Sequence, residues 1–358
     1  MTALKRILVE QIRQTGPLTI AHFMAACLYE PRHGYYANAP RIGADGDFIT
    51  APEASQMFGE LIGLWCVHEW DVLGRPDPMQ LIELGPGNGA LISDAWRAAR
   101  IEPAFRSATQ LHLIEISAAL RARQAQALAR FDVRPHWHER LDATLERPSL
   151  IIANEFLDCL PIRQFVRAED GWRERLVGAD EQDALAFGLS PHTLRPGDQV
   201  IPPALHDAPE GAIAEFAPGL EAWVDLLAQR LKAAPGRALI IDYAGDGQSD
   251  TLQAVRAHKK ESPLAAPGEA DLTARVDFVA LKILARASGL QVAGPSPQGH
   301  FLNGLGLDAR AFALSKAHPE RAERIAREVA RLTAPDQMGT LFKALCLSSP
   351  NLPPPAGF

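Results

Sequence analysis

Acidic and amide side chains recur in this sequence where short apolar segments end. Glu115, the pair Asn154-Glu155 and Asp242 each stand at the end of such a segment. The segments have the length and composition of buried strands in a parallel sheet, and the carboxyl ends of such strands form the ligand-binding edge of open α/β sheets. We therefore predict that a ligand binds at the sheet edge where these side chains lie.

A glycine-rich turn precedes these acids. In Glu83-Leu-Gly-Pro-Gly-Asn-Gly89 an apolar run leads into three glycines at alternate positions, and a helix-like segment follows. Glycine lets the backbone approach a nucleoside-bearing ligand closely, as in the first loop of a doubly wound sheet. Glu115 comes 26 residues after Gly89, near the offset of about 20 at which an acid bonds a ribose hydroxyl. The turn therefore predicts a cofactor site that includes Gly85 and Gly87.

Two details favour S-adenosylmethionine over a nicotinamide dinucleotide as the cofactor. Glu83 precedes the first glycine by two residues, where a carboxylate can reach a cationic amino group and would repel a pyrophosphate. The G-x-G-x-G spacing also lacks the later glycine of the dinucleotide fingerprint. Two alternatives stay open here. Glu83 could accept hydrogen bonds from backbone amides instead, and a nicotinamide-dependent oxidoreductase fits the turn less well.

A second group of acids suits a cationic substrate. Asn154, Glu155 and Asp158 lie close together after a predicted strand, and two carboxylates with an amide make a pocket rich in hydrogen-bond acceptors. Asp158 could equally cap a helical turn, since aspartate is favoured there. Asp271 joins the candidates for substrate binding, whereas Asp277 is better explained as the N-terminal residue of a helix.

Composition and charge exclude several functions. The 43 acidic and 36 basic residues give a net charge of −7, which argues against a broad surface for nucleic acid or membranes. No apolar run approaches the roughly 18 residues of a membrane span.

The four cysteines are far apart, and His136-Trp137-His138 has no further ligand at metal spacing. We therefore expect a cytoplasmic protein without a metal site, in which Trp137 stacks near an adenine or packs in the core.

Alternating strand and helix patterns must position these residues. The predicted fold is α/β, a doubly wound and mostly parallel sheet with an antiparallel final strand, an N-terminal helical extension and an insertion. In chain order we expect an extension that contributes to the active site, the first part of the core, a substrate-side insertion, the second part of the core and a disordered tail, at residues 1–75, 76–161, 162–235, 236–347 and 348–358.

Local patterns add detail to this outline. Apolar spacing predicts one helix from Glu53 through Trp65, and Thr19 and Ser117 are predicted helix caps. A charged helix is expected before the strand that begins at Ser149. Two segments rich in proline or glycine, 186–213 and 244–276, are predicted to be loops.

Taken together, seven segments resemble the MidA family. That family comprises class I S-adenosylmethionine-dependent methyltransferases, whose mitochondrial members methylate an arginine of a respiratory complex I subunit during assembly. The resemblance covers roughly residues 15–347. It rests on Gly46-Asp-Phe-Ile-Thr-Ala-Pro-Glu53, Phe58-Gly-Glu60, Glu83-Leu-Gly-Pro-Gly-Asn-Gly89, Asn154-Glu-Phe-Leu-Asp158, Asp242-Tyr243, Asp271-Leu-Thr-Ala-Arg-Val-Asp-Phe278 and Met338-Gly-Thr-Leu-Phe-Lys343.

The resemblance implies a class I methyltransferase-like fold and a protein arginine N-methyltransferase that uses S-adenosylmethionine. For that reaction we expect Glu155 and Asp158 to hold the guanidinium, with Asp271 as the next candidate. The expected cofactor-binding residues are Glu83, Gly85 and Gly87 at the methionine end, Glu115 at the ribose, Asn154, and Phe48 and Thr50 closing from the N-terminal loop.

The resemblance has departures and leaves an alternative. Asp242-Tyr243 is followed by Ala244, with Gly245 one place later, and Asn88 stands where arginine or another polar residue is common in the family. A non-catalytic assembly or scaffold protein that keeps the fold is the alternative, because fold does not fix function. The expected partner is a protein substrate, a complex I subunit by resemblance. A homodimer stays open, and a eukaryotic source would place the protein in the mitochondrial matrix.

Overall fold

One large sheet with helices on both faces forms the core of the protein. The computed structural model describes residues 2–38, 50–144, 146–194, 201, 205–245 and 248–358. Within these ranges no helix is both long and apolar enough to cross a membrane. The helices are α1 (Ala3–Thr15), α2 (Ile20–Tyr29), α3 (Ala51–Ala54), α4 (Gln56–Val72), α5 (Ala90–Ala98), α6 (Pro103–Ala108), α7 (Ala118–Leu128), α8 (Gly219–Ala233), α9 (Phe278–Ala287), α10 (Gln298–Gly304), α11 (Leu307–Ala317), α12 (Ala322–Thr333) and α13 (Met338–Leu341).

The large sheet contains eight strands. They are β2 (Met79–Leu84), β3 (Thr109–Ile114), β4 (His136–His138), β5 (Ser149–Asn154), β10 (Gly236–Gly245), β14 (Val276–Asp277), β15 (Gln291–Pro297) and β16 (Phe342–Ser348). Their order is β15-β16-β10-β5-β2-β3-β4, with β14 beside β10. The final strand, β16, is antiparallel to both of its neighbours. The predicted mostly parallel sheet with an antiparallel final strand is therefore confirmed, and β16 lies inside the sheet rather than at its edge.

Helices cover both faces of this sheet, which explains why its strands are apolar at consecutive positions. Leu81 and Ile152 face a cluster that includes residues of α4 and α5. Their chain neighbours Ile82 and Ile151 face the opposite cluster, which includes residues of α8 and α9. Although α8 falls inside the predicted insertion 162–235, it packs directly on the sheet.

Two smaller sheets flank the large one. The first contains β1 (Leu18–Thr19), β6 (Arg163–Ala168), β7 (Gly171–Ala179), β8 (Leu185–Thr193) and β9 (Ile213–Phe216), in the order β1-β7-β6-β9 with β8 paired to β7. The second contains β11 (Gln253–Arg256), β12 (Lys259–Glu261) and β13 (Asp271–Thr273), in the order β12-β11-β13. Ala254 and Leu272 of the second sheet pack with Leu4, Leu8 and Phe23 of the N-terminal helices.

These smaller sheets correct two loop predictions. The segment 186–213 contains most of β8. Gly188 and Pro191 are tolerated there because, within the described part of the chain, β8 pairs with β7 alone and lies at an edge. The segment 244–276 contains the whole three-stranded sheet. Its strands are only three or four residues long, so no alternating pattern is long enough to identify them in the sequence.

Three helix predictions also need correction, whereas the Thr19 cap is confirmed. The helix predicted from Glu53 is broken at Ser55, whose extended backbone separates α3 from α4 and whose hydroxyl accepts the Met57 N–H. Only one 3-10 turn, Leu141–Ala143, occupies the place of the charged helix before Ser149. Ser117 precedes α7, but its side chain makes no capping hydrogen bond.

The C-terminal tail was expected to be disordered, and this prediction is wrong. Arg237 is fully buried and forms an ion pair with Glu69, with Nε and Oε2 2.7 Å apart. The tail adds one hydrogen bond to each member of this pair, because the Pro353 carbonyl accepts from Arg237 and the Ala356 N–H donates to Glu69. Phe358 packs against Phe301 at a ring distance of 5.0 Å. The tail therefore supplies partners that two buried charges require.

Candidate active site

A cavity of about 660 Å³ opens at the carboxyl ends of the parallel strands. Almost all of the predicted site residues line it, which places them together as the topology of an open α/β sheet requires. Those residues are Thr50, Glu83, Gly85, Gly87, Glu115, Asn154, Glu155, Asp158 and Asp271. Phe48, the remaining predicted site residue, lies outside the described residues.

The glycine-rich loop bends sharply between β2 and α5. Gly85, Gly87 and Gly89 have φ values of 62°, 54° and 85°, which side chains rarely adopt. A Cβ added at Gly85 would also lie 2.9 Å from Cδ2 of Phe156. Glycine is therefore needed at this position both for its conformation and for its close contact with the next loop.

Two buried acceptor atoms beside this loop lack a hydrogen-bond partner within the described part of the chain. They are Oε2 of Glu83 and Oδ1 of Asn154, and both residues are less than a tenth exposed. Burial raises the pKa of Glu83 to about 8. A buried carboxyl group and amide oxygen without partners favour the binding of a cationic hydrogen-bond donor, such as the amino group of a cofactor.

Glu115 is held in place by residues that the sequence did not single out. Its Oε1 accepts the Ser117 N–H at 2.8 Å, and its Oε2 accepts from Nε2 of Gln124 at 3.2 Å. Gln124 is fully buried and also donates to the Gly87 carbonyl at 2.8 Å. Trp137 fixes the orientation of this amide, because its Nε1–H donates to Oε1 of Gln124 at 2.8 Å. Trp137 packs against the core and is absent from the cavity lining, so core packing is the one of its two expected roles that is confirmed.

Asp242 shapes the site without lining the cavity. Its side chain is fully buried. Its Oδ2 accepts backbone N–H groups from Phe156, Leu157 and Asp158 at 3.0, 2.8 and 3.4 Å. Asp242 therefore does not face the ligand-binding cavity, because its acceptor capacity is used to hold the loop after β5.

That loop presents two partly buried carboxyl groups to the cavity. Oε1 of Glu155 accepts from the Ala51 N–H at 3.0 Å and from Nδ2 of Asn154 at 3.2 Å. Burial, with the nearby charges of Asp242 and Glu53, raises the pKa of Glu155 to about 8. Burial, followed by the charges of Asp242, Asp271 and Glu155, raises the pKa of Asp158. These carboxyl groups are poorly solvated and repel one another, so a bound cation would stabilise their ionised forms.

Aromatic side chains from the N-terminal extension form one wall beside these acids. The rings of Tyr29 and Tyr36 are stacked 5.8 Å apart. The Tyr36 hydroxyl lies 2.8 Å from Sγ of Cys159 and donates to Asp271 at 3.5 Å, while the Tyr29 hydroxyl donates to the Cys159 carbonyl at 2.8 Å. The aromatic density of the segment that begins at Tyr29 indicated a binding loop but not these particular side chains.

A short segment of the N-terminal extension connects the two halves of the cavity. Thr50 and Glu53 form a capping box at the start of α3. Glu53 accepts a hydrogen bond from Asn88 in the glycine-rich loop, and the adjacent Ala51 N–H donates to Glu155. Asn88, a departure from the family pattern, therefore has a structural role in joining the extension to the glycine-rich loop.

The fold and the cavity together define a class of protein. A doubly wound sheet with an antiparallel strand beside β10, a glycine-rich loop after β2 and a carboxylate after β3 form the class I methyltransferase-like architecture. A family model of S-adenosyl-L-methionine-dependent methyltransferases matches residues 61–296, and the chain belongs to that family. S-adenosylmethionine is therefore the cofactor, and the nicotinamide alternative is wrong.

Named relatives agree with this assignment over nearly the whole chain. The mitochondrial protein arginine methyltransferase NDUFAF7 homolog of Drosophila melanogaster is 36% identical over 372 residues, covering 96% of this chain and 84% of that protein. The mitochondrial protein arginine methyltransferase NDUFAF7 of Homo sapiens is 34% identical, with coverages of 97% and 83%. A crystal structure from Burkholderia thailandensis bound to S-adenosyl-homocysteine has a TM-score of 0.87 and 27% identity, covering 99% of this chain and 94% of that one.

Proposed function

We propose that this protein transfers the methyl group of S-adenosylmethionine to a guanidinium nitrogen of an arginine in a protein substrate. The observation that carries the proposal is the pair of carboxyl groups on Glu155 and Asp158. Among the described residues, neither carboxyl group has an arginine or lysine partner. A guanidinium is the cation best suited to two carboxylates, because it donates parallel hydrogen bonds from a planar group.

The unsatisfied atoms of the other half of the cavity fit the cofactor. Glu83 and Asn154 would bind the amino group of its methionine end, and Gly85 and Gly87 would let the backbone approach it. Glu115, oriented by Gln124, would accept a hydrogen bond from the ribose. Thr50 would close this half from the N-terminal side. When bound, S-adenosylmethionine supplies an electrophilic methyl group on a sulfonium centre.

The acceptor half would then orient the nucleophile. Arginine stays protonated in water, with a pKa above about 12, so Glu155 and Asp158 must localise its charge and align one nitrogen with the methyl group. When that nitrogen gains the methyl group it releases one proton. A carboxylate of this pair, ionised by the bound cation, accepts it. Tyr29 and Tyr36 cover the pocket and limit the access of water.

The identity of the relatives extends the proposal to a substrate and a compartment. Those relatives are named mitochondrial protein arginine methyltransferases. We accordingly propose a respiratory complex I subunit as the protein substrate, methylated during assembly. The working compartment would be the cytoplasm, or the mitochondrial matrix if the source is eukaryotic.

Isotope labelling tests this function directly. The full chain is incubated with S-adenosylmethionine carrying a labelled methyl group and with a lysate of cells that lack the protein, and modified peptides are identified by mass spectrometry. We expect label on arginine, and none with the Glu155→Gln variant. Label on another residue type would refute the arginine assignment. No label with a protein that binds S-adenosylmethionine in calorimetry would favour the non-catalytic scaffold instead.

A further inference from the structure

The three-stranded sheet forms a wall of the cavity with a defined register. Val255 on the central strand β11 pairs with Asp271 on one side and with Lys260 on the other. All three residues line the cavity. The opposite face of this sheet packs on the N-terminal helices through Ala254 and Leu272. Asp271, Val255 and Lys260 therefore form one row that runs from the acidic pocket towards solvent.

Lys260 is the exposed end of this row. Its side chain forms no hydrogen bond or ion pair with the described residues. Two strand spacings of about 4.8 Å place the backbone of Lys260 about 10 Å from the backbone of Asp271. This distance is the length of about three residues of extended chain. An ammonium group at this position lies beside any polypeptide whose arginine enters the pocket.

We propose that Lys260 is a specificity-determining residue, which binds an aspartate or glutamate within about three positions of the acceptor arginine. The inference rests on the proposed function, because it requires a protein arginine in the pocket. An acidic neighbour of the arginine would be repelled by the carboxyl groups at the base of the cavity. The Lys260 ammonium offers such a neighbour an opposite charge away from those groups.

The adjacent residue of the same strand provides a matched control. Lys259 carries the same charge and is also exposed, but side chains alternate along a strand and Lys259 does not line the cavity. Lys260→Glu and Lys259→Glu therefore make the same change in net charge on opposite faces of β12. Only the first should alter substrate recognition.

The test uses the full enzyme and the intact protein substrate identified by mass spectrometry. We expect an acidic residue within three positions of the modified arginine. Replacing that residue by its amide should lower kcat/KM about two- to fivefold, mainly through KM, and the difference should shrink at high salt. Lys260→Glu should lower kcat/KM about two- to twentyfold on the natural substrate, while a substrate with lysine at the acidic position should recover the loss. Lys259→Glu should behave like the wild type.

The possible outcomes separate this inference from the function on which it rests. If no arginine is labelled, both the proposed function and the role of Lys260 are refuted. If arginine is methylated but has no acidic neighbour, or if Lys260→Glu and Lys259→Glu have equal effects, only the role of Lys260 is refuted. Thermal unfolding of both variants checks that they fold equally well.

Discussion

At the scale of single residues, the site keeps carboxyl groups in surroundings that disfavour their charge. Glu83 is only 3% exposed, and Glu155 lies between a backbone amide and other acids. Such groups cost folding stability, which the cofactor and substrate of the proposed reaction would offset on binding. Replacing one of them should therefore increase stability while it removes function.

Glu155→Gln is expected to retain cofactor binding, lose methyl transfer and unfold at a higher denaturant concentration. Since the pKa of Glu155 is raised from 4.5 to about 8, the folded protein keeps a proton that the unfolded chain releases between these values. The free energy of unfolding contributed by this group therefore falls as pH rises from about 4.5 to about 8. The stability advantage of the variant should grow over the same range and reach about 0.5–2 kcal/mol at pH 8, measured by urea titration.

Glu139→Gln is the control for this prediction. Glu139 lines the same cavity, but its side chain is 74% exposed, so its replacement should leave both stability and activity nearly unchanged. Equal stability of Glu155→Gln and the wild type at pH 5 and pH 8 would show that Glu155 is not destabilised by burial.

At the scale of elements, contacts between β4 and α7 fix the half of the cavity that we propose binds the cofactor. Trp137 of β4 orients Gln124 of α7, which connects Glu115 with the glycine-rich loop. If the indole N–H is lost, the Gln124 amide can rotate and present its oxygen to two acceptors. The sequence did not identify this connection, because nothing in a tryptophan or a glutamine indicates which partner it will meet in the fold.

We predict that Trp137→Phe weakens binding of S-adenosylmethionine about two- to tenfold, since one hydrogen bond contributes about 0.5–1.5 kcal/mol. Isothermal titration calorimetry measures the change. Trp96→Phe is a matched control, because Trp96 is buried and its Nε1 has no hydrogen-bond partner among the described residues. The same loss of affinity in both variants would argue for a general packing effect instead of the contact with Gln124.

At the scale of the whole molecule, the C-terminal tail packs at the end of the sheet opposite the cavity. The C-terminal tail hydrogen-bonds both members of the Glu69–Arg237 ion pair, which joins α4 to β10, and places Phe358 on α10. The tail thus links elements that are distant in the sequence. Its role is structural, because residues 349–358 are absent from the cavity lining.

Deletion of residues 350–358 should lower the free energy of unfolding by about 2–4 kcal/mol, through lost apolar packing and buried charges left short of partners. Urea denaturation measures this loss. Phe358→Ala should show only the packing part, and the affinity for S-adenosylmethionine should be unchanged in both. A deletion variant as stable as the wild type would contradict the structural role of the tail.

The central strands, the glycine-rich loop and several acids that line the cavity could be predicted from the sequence alone. These follow from local rules, because a buried parallel strand must be apolar and a backbone with φ near 60° at Gly85 excludes most side chains. The carboxyl ends of parallel strands also share one edge, so Glu115 and Glu155 could be placed together without coordinates.

Only the tertiary structure decided which side chains face the cavity and which serve the scaffold. Asp242 lies within β10 and Glu115 directly follows β3, yet the side chain of Asp242 accepts backbone amides of the loop after β5. Tyr36 meets Asp271, 235 residues later in the chain, and Lys260 joins the wall through the register of a sheet too short to predict. Such partners depend on how distant segments pack against one another, and the local pattern of residue types does not encode that packing.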